Sequence, residues 1–179
     1  YALQDGQTLR IGRGAFSIMP KNSSLDAGAQ AEMWTDAQTN SQRWVLKSAG
    51  TDTYMLSNAY TGKFLACTSG MTAGAAVSVQ DRAAAASRGR WQLVPVEGST
   101  NQYYIYASST RRYALSTQGD TADGNTLTLV AVDKAEPSQY TWTVEECASR
   151  ENELTPEVRD DMMEKWKAHY YHKASTGYV

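Results

Sequence analysis

Histidine is nearly absent from this 179-residue chain, and its scarcity limits the chemistry available to the protein. Both histidines, His169 and His172, lie close to the end of the sequence, so a histidine-based triad within residues 1–148 is excluded. Also missing are a Gly-x-Ser-x-Gly elbow, a phosphate-binding loop, a paired-histidine zinc motif and a dinucleotide fingerprint. Spacing alone does not exclude a glycosidase-type pair of carboxylates, but the acids cluster in turns and in a charged stretch, where solvation explains them. We therefore expect a non-catalytic segment without a cofactor.

The chain also has a small net charge, short apolar runs and few cysteines. The formal net charge is −2, which gives no electrostatic footprint for nucleic acid or an anionic membrane. No apolar run approaches the roughly 18 residues of a membrane-spanning helix. The two cysteines, Cys67 and Cys147, fit one disulfide or two free thiols equally well. The chain begins at Tyr1 without a signal-like segment, as expected for a mature chain or an excised piece.

What the sequence does contain is one pattern repeated three times. Each pass has a short apolar segment, an aromatic residue, a turn of small residues, an alternating run and a tryptophan. Equivalent markers are separated by 46 to 51 residues. The aromatic residues are Phe16, Phe64 and Tyr113, the turn glycines are Gly28, Gly74 and Gly124, and the tryptophans are Trp44, Trp91 and Trp142. A period of this length indicates one supersecondary unit that cannot bury its apolar face alone.

The repeated unit is predicted to consist of four strands. Its segments are short, rich in β-formers and separated by Gly, Ser, Asn and Asp, and no helical spacing occurs between residues 1 and 148. In the third pass we place strands near Gln102–Ala107, Arg112–Ser116, Thr126–Val130 and Tyr140–Val144. A propeller usually needs four or more blades, and a solenoid normally has tighter spacing. Three such units favour an all-β, β-trefoil fold whose marker aromatics and tryptophans share one core.

The first pass resembles the ricin B-type β-trefoil lectins, also called R-type carbohydrate-binding modules. The resemblance lies in Gly28-Ala29-Gln30-Ala31-Glu32-Met33-Trp34 and in Ser41-Gln42-Arg43-Trp44, where the Gln-x-Trp motif is intact, and it covers roughly residues 5–147. The other two passes read Gly89-Arg90-Trp91 and Tyr140-Thr141-Trp142. The tryptophans are therefore kept in all three passes, whereas the glutamine that braces the sugar-binding loop is kept once.

The resemblance implies one candidate carbohydrate-binding site, in the first pass. Sugar binding needs an aromatic face for the apolar side of a pyranose and planar polar groups for its hydroxyls. The family's aromatic position falls on Trp34, but on Gln80 and Val130 in the other passes, and its polar positions fall on Glu32, Ser41 and Gln42. Glu32 is expected on the exposed face of an alternating strand.

Each of these residues also has a structural interpretation. Trp34 would alternatively cover the loop at 35–43 or close the bottom of the barrel, and Gln42 would brace that loop. The family's aspartate at the end of the second strand is missing from every pass, and Asp26 is the acid that would reach the first site from a turn.

The last thirty residues differ from the rest of the chain, so we divide it into a trefoil at 1–148 and a linker with an amphipathic helix at 149–179. Thr155-Pro156-Glu157 is a helix start, and Val158, Met162, Trp166 and Tyr170 form one apolar stripe at 156–172. This helix is expected to pack on the trefoil or to begin a further domain. His169 and His172 have no third partner, so no metal site is expected.

Two classes of function remain. The first is a carbohydrate-binding module that holds a larger secreted or surface protein, such as a glycan-degrading enzyme, on its glycan. The second is a protein-interaction or scaffolding trefoil with degenerate sugar sites, because fold does not fix function. The partner is expected to be a glycan or polysaccharide, with no nucleic acid and no membrane, and the family resemblance implies an extracellular or cell-surface location.

Overall fold

β-strands are the main regular secondary structure of the described part of the chain. A computed structural model describes residues 3–107, 110–148, 160, 163–165 and 167–168. These residues contain twelve strands: β1 (Thr8–Arg13), β2 (Phe16–Pro20), β3 (Ala31–Thr35), β4 (Trp44–Gly50), β5 (Thr53–Asn58), β6 (Phe64–Cys67), β7 (Val77–Gln80), β8 (Trp91–Pro95), β9 (Gln102–Ala107), β10 (Tyr113–Thr117), β11 (Leu127–Ala131) and β12 (Thr141–Glu146). In the third repeat, β9 has the expected bounds, and β10 to β12 each begin one residue later than expected.

Several short helices lie in the loops that connect the strands. One is a short α-helix, α1 (Arg82–Ala85), and the 3-10 turns are Lys21–Ser23, Asn40–Gln42, Ala86–Gly89, Val132–Lys134 and Pro137–Tyr140. The expectation of no helix before residue 148 is therefore wrong at α1, which joins β7 to β8. Its three consecutive alanines are the strongest helix formers, and the single turn leaves the four-strand pattern of the second repeat unchanged.

Six of the strands close into a barrel. β1, β4, β5, β8, β9 and β12 pair in that order, and β12 pairs again with β1, so the ring has no free edge. Each repeat adds one hairpin below the barrel, β2–β3, β6–β7 or β10–β11. This arrangement is a β-trefoil, and the fold predicted from the repeat is confirmed.

A closed cycle of hydrogen bonds joins the three hairpins. The N–H of Gly28 donates to the Val79 carbonyl at 2.7 Å, that of Gly74 to Leu129 at 2.8 Å, and that of Gly124 to Met33 at 2.8 Å. Each turn therefore docks on the last strand of the next hairpin. All three glycines have φ between +81° and +89°, which glycine adopts without steric cost. The repeated turn glycine is thus required by the contact between repeats.

The three tryptophans of the repeat lie in the shared core. Trp44, Trp91 and Trp142 are each 0% exposed. Their indole N–H groups donate to the carbonyls of Ile18 at 3.0 Å, Leu65 at 2.8 Å and Leu115 at 2.8 Å. A buried indole needs such a partner. Each tryptophan thus ties the closing strand of its repeat to the hairpin of the same repeat, as the repeat pattern indicated.

The marker aromatics are buried less uniformly than expected. Phe16 and Tyr113 are half-buried at the margin of the main core. Phe64 is buried, but it packs in a separate cluster with Met55, Ala66 and Ala85. The reason is register: Phe64 directly precedes Leu65, whereas Phe16 and Tyr113 lie two residues before Ile18 and Leu115. A shift of one residue along a strand turns the side chain to the other face.

The remaining expectations fall on single groups or on the tail. Cys67 is buried and Cys147 is half-buried, and both are free thiols; burial raises the pKa of Cys67 to about 11. In the helix expected at 156–172, Asp160, 163–165 and 167–168 are described and are helical, with Lys167 paired to Glu164 at 3.7 Å. Val158, Met162, Trp166, Tyr170 and both histidines lie outside the described residues. No helix in the part of the chain described here is long and apolar enough to cross a membrane.

Candidate functional site

The candidate site lies on the outer face of the β2–β3 hairpin. In this hairpin Ser17 pairs with Trp34, and Met19 pairs with Glu32. Successive side chains of a strand point to opposite faces. Ile18 and Met33 are accordingly 0% exposed in the core, which places their neighbours in sequence on the outer face. The register thus brings Glu32 and Trp34 together as the sequence suggested, with Met19 in the position of the missing aspartate.

Trp34 is an exposed aromatic surface. Trp34 is 45% exposed as a residue, and the other exposed large hydrophobic residue among those described is Met163. A Cβ added at Gly124 would lie 4.0 Å from the Trp34 ring, so the ring rests beside the turn of the third repeat. The three hairpins cover the bottom of the barrel, so Trp34 does not serve to cover it. Trp34 therefore has the exposure that a stacking residue needs.

The turn that approaches Trp34 carries an acidic residue. Asp123 is exposed, and its Oδ1 accepts hydrogen bonds from the backbone N–H of Thr35 at 2.6 Å and from the Thr35 hydroxyl at 2.8 Å. Asp26, the acid that the sequence suggested for this site, lies in the turn that docks on β7 instead. The third repeat thus supplies an exposed carboxylate beside Trp34, held by the residue that follows it. The available signal was that Asp123 stands where the other turns have Ala27 and Ala73.

Glu32 differs from its expected environment. We expected an exposed side chain, but Glu32 is 4% exposed, because the 3-10 turn at Lys21–Ser23 lies near it. Burial raises the pKa of the Glu32 carboxyl, and the charge of Asp123 adds to this effect. The charge of Lys21 and a hydrogen bond from the Asn22 backbone act in the opposite direction. Glu32 is therefore a carboxyl whose ionised form is disfavoured next to the exposed Trp34.

Gln42 braces the loop behind Trp34. Its Oε1 accepts hydrogen bonds from the Ala37 N–H at 2.8 Å and the Thr39 hydroxyl at 3.2 Å. Its Nε2 donates to the Thr35 carbonyl at 3.0 Å and, at 3.5 Å, to that of Trp34. Gln42 is 1% exposed, so its amide positions the backbone that carries Trp34 and presents no free polar group at the surface.

Ser41 belongs to the same buried layer. It is 2% exposed. Its hydroxyl accepts a hydrogen bond from Ser23 at 2.9 Å and lies 3.0 Å from the Thr39 hydroxyl. Ser41 therefore links the loop after β3 to the turn after β2. Of the four residues indicated by the sequence, Trp34 and Glu32 share the outer face, while Ser41 and Gln42 support it from behind.

A polar network fills the upper part of this face. The Ser17 hydroxyl accepts a hydrogen bond from Arg10 Nε at 2.7 Å and donates to Asp36 at 3.0 Å, and Arg43 pairs with Asp36 at 3.0 Å. Burial alone would raise the pKa of Asp36, but hydrogen bonds from Arg43 and Ser17 and the charges of Arg43 and Arg10 lower it overall. The first repeat therefore has charged side chains on this outer face.

In the second and third repeats the equivalent face is filled by apolar and aromatic side chains. Phe64 and Ala114 occupy the position of Ser17, because each directly precedes the residue whose carbonyl accepts the indole hydrogen bond. Around Phe64 pack Met55, Ala66 and Ala85. Near Ala114 three tyrosines, Tyr104, Tyr106 and Tyr140, lie with ring centroids 5.1 to 6.3 Å apart. In the second and third repeats, the protein's own side chains therefore cover the outer face.

The family assignment rests on this arrangement of strands and repeats. The model of the ricin-type β-trefoil lectin domain-like family matches residues 14–80 and 40–130. Together these segments span most of the chain, which therefore belongs to that family. A comparison with curated proteins finds no significant match.

Solved structures of known trefoils superpose well on this chain. The designed threefold-symmetric protein ThreeFoil has a TM-score of 0.70 and 19% identity, and the match covers 78% of this chain and 99% of that one. The Macrolepiota procera ricin B-like lectin in complex with lactose has a TM-score of 0.68 and 20% identity, over 82% and 100%. The exo-β-1,3-galactanase 1,3Gal43A of Clostridium thermocellum gives 0.69 and 17%, over 82% of this chain but 31% of that one. At these identities the likeness concerns the fold.

Proposed function

We propose that this trefoil is a carbohydrate-binding module with a single site on the outer face of the β2–β3 hairpin. The observation that carries the proposal is the exposure of Trp34, 45%, beside the carboxylate of Asp123, which is fixed by two hydrogen bonds from Thr35. An aromatic face next to an oriented polar group offers a pyranose both a stacking surface and a hydrogen-bond partner for its hydroxyls. The lactose complex of the Macrolepiota procera lectin supports this ligand class for the fold.

Each residue of the site has a distinct role. Trp34 stacks on the apolar face of the sugar, and Asp123 accepts hydrogen bonds from its hydroxyls in place of the aspartate that Met19 replaces. Glu32 is buried next to Trp34 on the same face, 4% exposed, and acts on the site through the interaction of its charge with that of Asp123. Gln42 and Ser41 hold the loop and the turn that orient these groups. One stacking ring with few polar contacts gives weak binding.

Weak binding by one site implies a tethering role. Avidity then comes from attachment to a larger protein or from several copies. The galactanase match supports attachment, because this chain covers 31% of that longer chain. We therefore propose that the trefoil holds a larger secreted or surface protein that degrades glycan on its substrate.

The decisive experiment compares Trp34→Ala with Gln80→Ala. Gln80 occupies the equivalent position in the second repeat, next to Phe64. Wild type and both variants are applied to a glycan array and to a lactose affinity gel. Trp34→Ala should lose all retention with its thermal midpoint nearly unchanged, because an exposed side chain contributes little to stability, and Gln80→Ala should bind like wild type.

A scaffolding role is the second candidate, and the filled outer faces of the second and third repeats favour it. Phe64 with Ala85 and the three tyrosines occupy space that a sugar would need. If wild type is retained on no glycan and Trp34→Ala strongly destabilises the fold, Trp34 is a packing residue and the scaffolding function replaces the carbohydrate one.

A further inference from the structure

A basic pocket lies between the second and third repeats, away from Trp34. Its cavity of about 470 Å³ is lined mainly by Arg111, Arg112, Lys134, Tyr113, Ala73 and Ala131. This volume lies within the range of small-molecule sites, roughly 300–1,000 Å³. The whole protein carries a formal net charge of −2. The three basic residues around this cavity therefore give it a charge opposite in sign to that of the protein as a whole.

The pocket is the third-repeat counterpart of the place where Asp123 binds Thr35. In the first repeat the N–H of Asp36 donates to the Ala15 carbonyl, and in the third the N–H of Val132 donates to that of Arg112. The two backbones therefore correspond, with Ala131 in the position of Thr35. Ala73, which precedes the turn glycine Gly74, correspondingly stands where Asp123 precedes Gly124.

The exchange of these residues removes an anion and adds cations. In the first repeat a carboxylate oxygen lies 2.6 Å from the Thr35 N–H, and Gly14 and Ala15 occupy the adjacent turn. The third repeat has the methyl group of Ala73 at the corresponding place, and its turn carries Arg111 and Arg112. The third repeat thus lacks the internal carboxylate, and three basic residues, Arg111, Arg112 and Lys134, line the cavity there.

Arg111 adopts a backbone conformation that favours glycine. Its φ is 56°, and Gly14 at the equivalent turn position has φ 55°. An arginine in this region is strained, and such strain is typical of functional positions. The Nε of Arg111 donates to Gln92 Oε1 at 2.8 Å, and its guanidinium lies 5.6 Å from the Tyr106 ring. The turn is therefore held so that an arginine side chain stands at the rim of the pocket.

The cations of the pocket are not neutralised by the described residues. Within these residues no carboxylate lies within ion-pair distance of Arg111, Arg112 or Lys134. The guanidinium of Arg112 lies 5.6 Å from the Tyr113 ring, and a planar guanidinium can bind a carboxylate through two parallel hydrogen bonds. Asp133 also lines the cavity and reduces the excess of positive charge without cancelling it.

We propose that this basic pocket binds the carboxylate of an acidic saccharide, such as a uronic acid. The carboxylate would take the position that Asp123 takes in the first repeat, between the arginines and Lys134, with the pyranose ring against Tyr113. The site is separate from the one at Trp34 and does not depend on it. It gives the trefoil a preference for anionic glycan.

The test uses trigalacturonate, with galactotriose as its neutral match, in titration calorimetry on the full chain. Trigalacturonate should bind measurably and galactotriose should not bind at this pocket. Arg112→Gln with Lys134→Gln should weaken binding of trigalacturonate by at least about tenfold, the worth of one charge-assisted hydrogen bond. Lys47→Gln, at an exposed cation on β4 that belongs to neither site, should leave it unchanged.

Ala73→Asp provides a complementary variant, because it supplies the missing carboxylate from within the protein. It should fold normally and lose binding of trigalacturonate. The proposal is overturned if Ala73→Asp folds and binds like wild type, or if wild type does not prefer trigalacturonate to galactotriose. Tighter binding of a sulfated disaccharide or of an acidic peptide, lost in the same variants, would also overturn the assignment to a saccharide carboxylate.

Discussion

Asp123 of the third repeat accepts two hydrogen bonds from Thr35 of the first, at 2.6 and 2.8 Å, and so completes a site that begins in another repeat. The contact follows from the hairpin cycle, in which the Gly124 N–H donates to the Met33 carbonyl. Trp34 lies between these two anchored positions. The exposed aromatic residue of the first repeat and the exposed carboxylate of the third therefore lie side by side because the trefoil closes.

Replacing Asp123 by alanine should weaken both the contact between repeats and sugar binding. The Thr35 N–H and hydroxyl lose their acceptor, at a cost of about 1 kcal/mol because the group is exposed. Asp123→Asn keeps an acceptor oxygen for Thr35 and should retain stability while binding weakens. Denaturant unfolding and glycan binding measure the two effects. Asp26→Ala, in the turn that docks on β7, is the control, and wild-type binding by Asp123→Ala would contradict this role.

Replacing Gln42 by alanine should loosen the loop that carries Trp34. Four hydrogen bonds to Ala37, Thr39, Thr35 and Trp34 are lost in a place that is 1% exposed. Leaving such groups without partners costs about 2 kcal/mol. The midpoint of denaturant unfolding measures this loss, and sugar binding should fall with it. Gln118→Ala, at an exposed glutamine, should change neither quantity, and an unchanged midpoint for Gln42→Ala would refute the bracing role.

The raised pKa of Glu32 leads to a prediction about how stability depends on pH. Burial raises this pKa above its ordinary value of 4.5, so the folded protein holds the proton more tightly than the unfolded chain. Glu32 therefore contributes stability that is full below about pH 4.5 and is lost as the pH rises through the pKa of the folded state. Glu32→Gln should be more stable than wild type at pH 7, and this advantage should shrink at acidic pH.

The difference between the two proteins is the quantity to measure, by denaturant unfolding at several pH values. Asp36, whose pKa is lowered, acts in the opposite direction in both proteins and cancels in the difference. An advantage of Glu32→Gln that grows towards acidic pH would contradict the direction of the shift.

The skeleton of the fold was predictable because the repeat carries it in local signals. The tryptophans recur at one period, and each has the same hydrogen bond to a hairpin carbonyl. The environment of the site was not local. Asp123 lies 88 residues from Thr35 along the chain, and the burial of Glu32 depends on a turn beside it. Phe64 was wrongly predicted to share the core with Phe16, because the two lie 48 residues apart whereas the structure aligns Phe64 with Ser17. A difference of one residue decides the face on which a side chain lies.

The loss of Gln-x-Trp in the second repeat leads to a final prediction. Gly89 stands where the first repeat has Gln42, and a Cβ added there would lie 2.9 Å from Ala85 Cβ and 3.2 Å from Met55 Cε. α1 has filled the space that the glutamine needs. Gly89→Gln should therefore destabilise the protein by about 1–3 kcal/mol through overpacking and should create no second sugar site, because Phe64 closes that face.

Removing the opposing methyl group should relieve part of this strain. The double variant Gly89→Gln with Ala85→Gly should be more stable than the sum of the two single changes implies, since the residues are in contact. Gly70→Ala is the matched control, because a Cβ added at Gly70 meets nothing within 4 Å, and it should leave stability nearly unchanged. Denaturant unfolding of the four variants measures the coupling. Additive effects at Gly89 and Ala85 would show that α1 does not fill the glutamine's place.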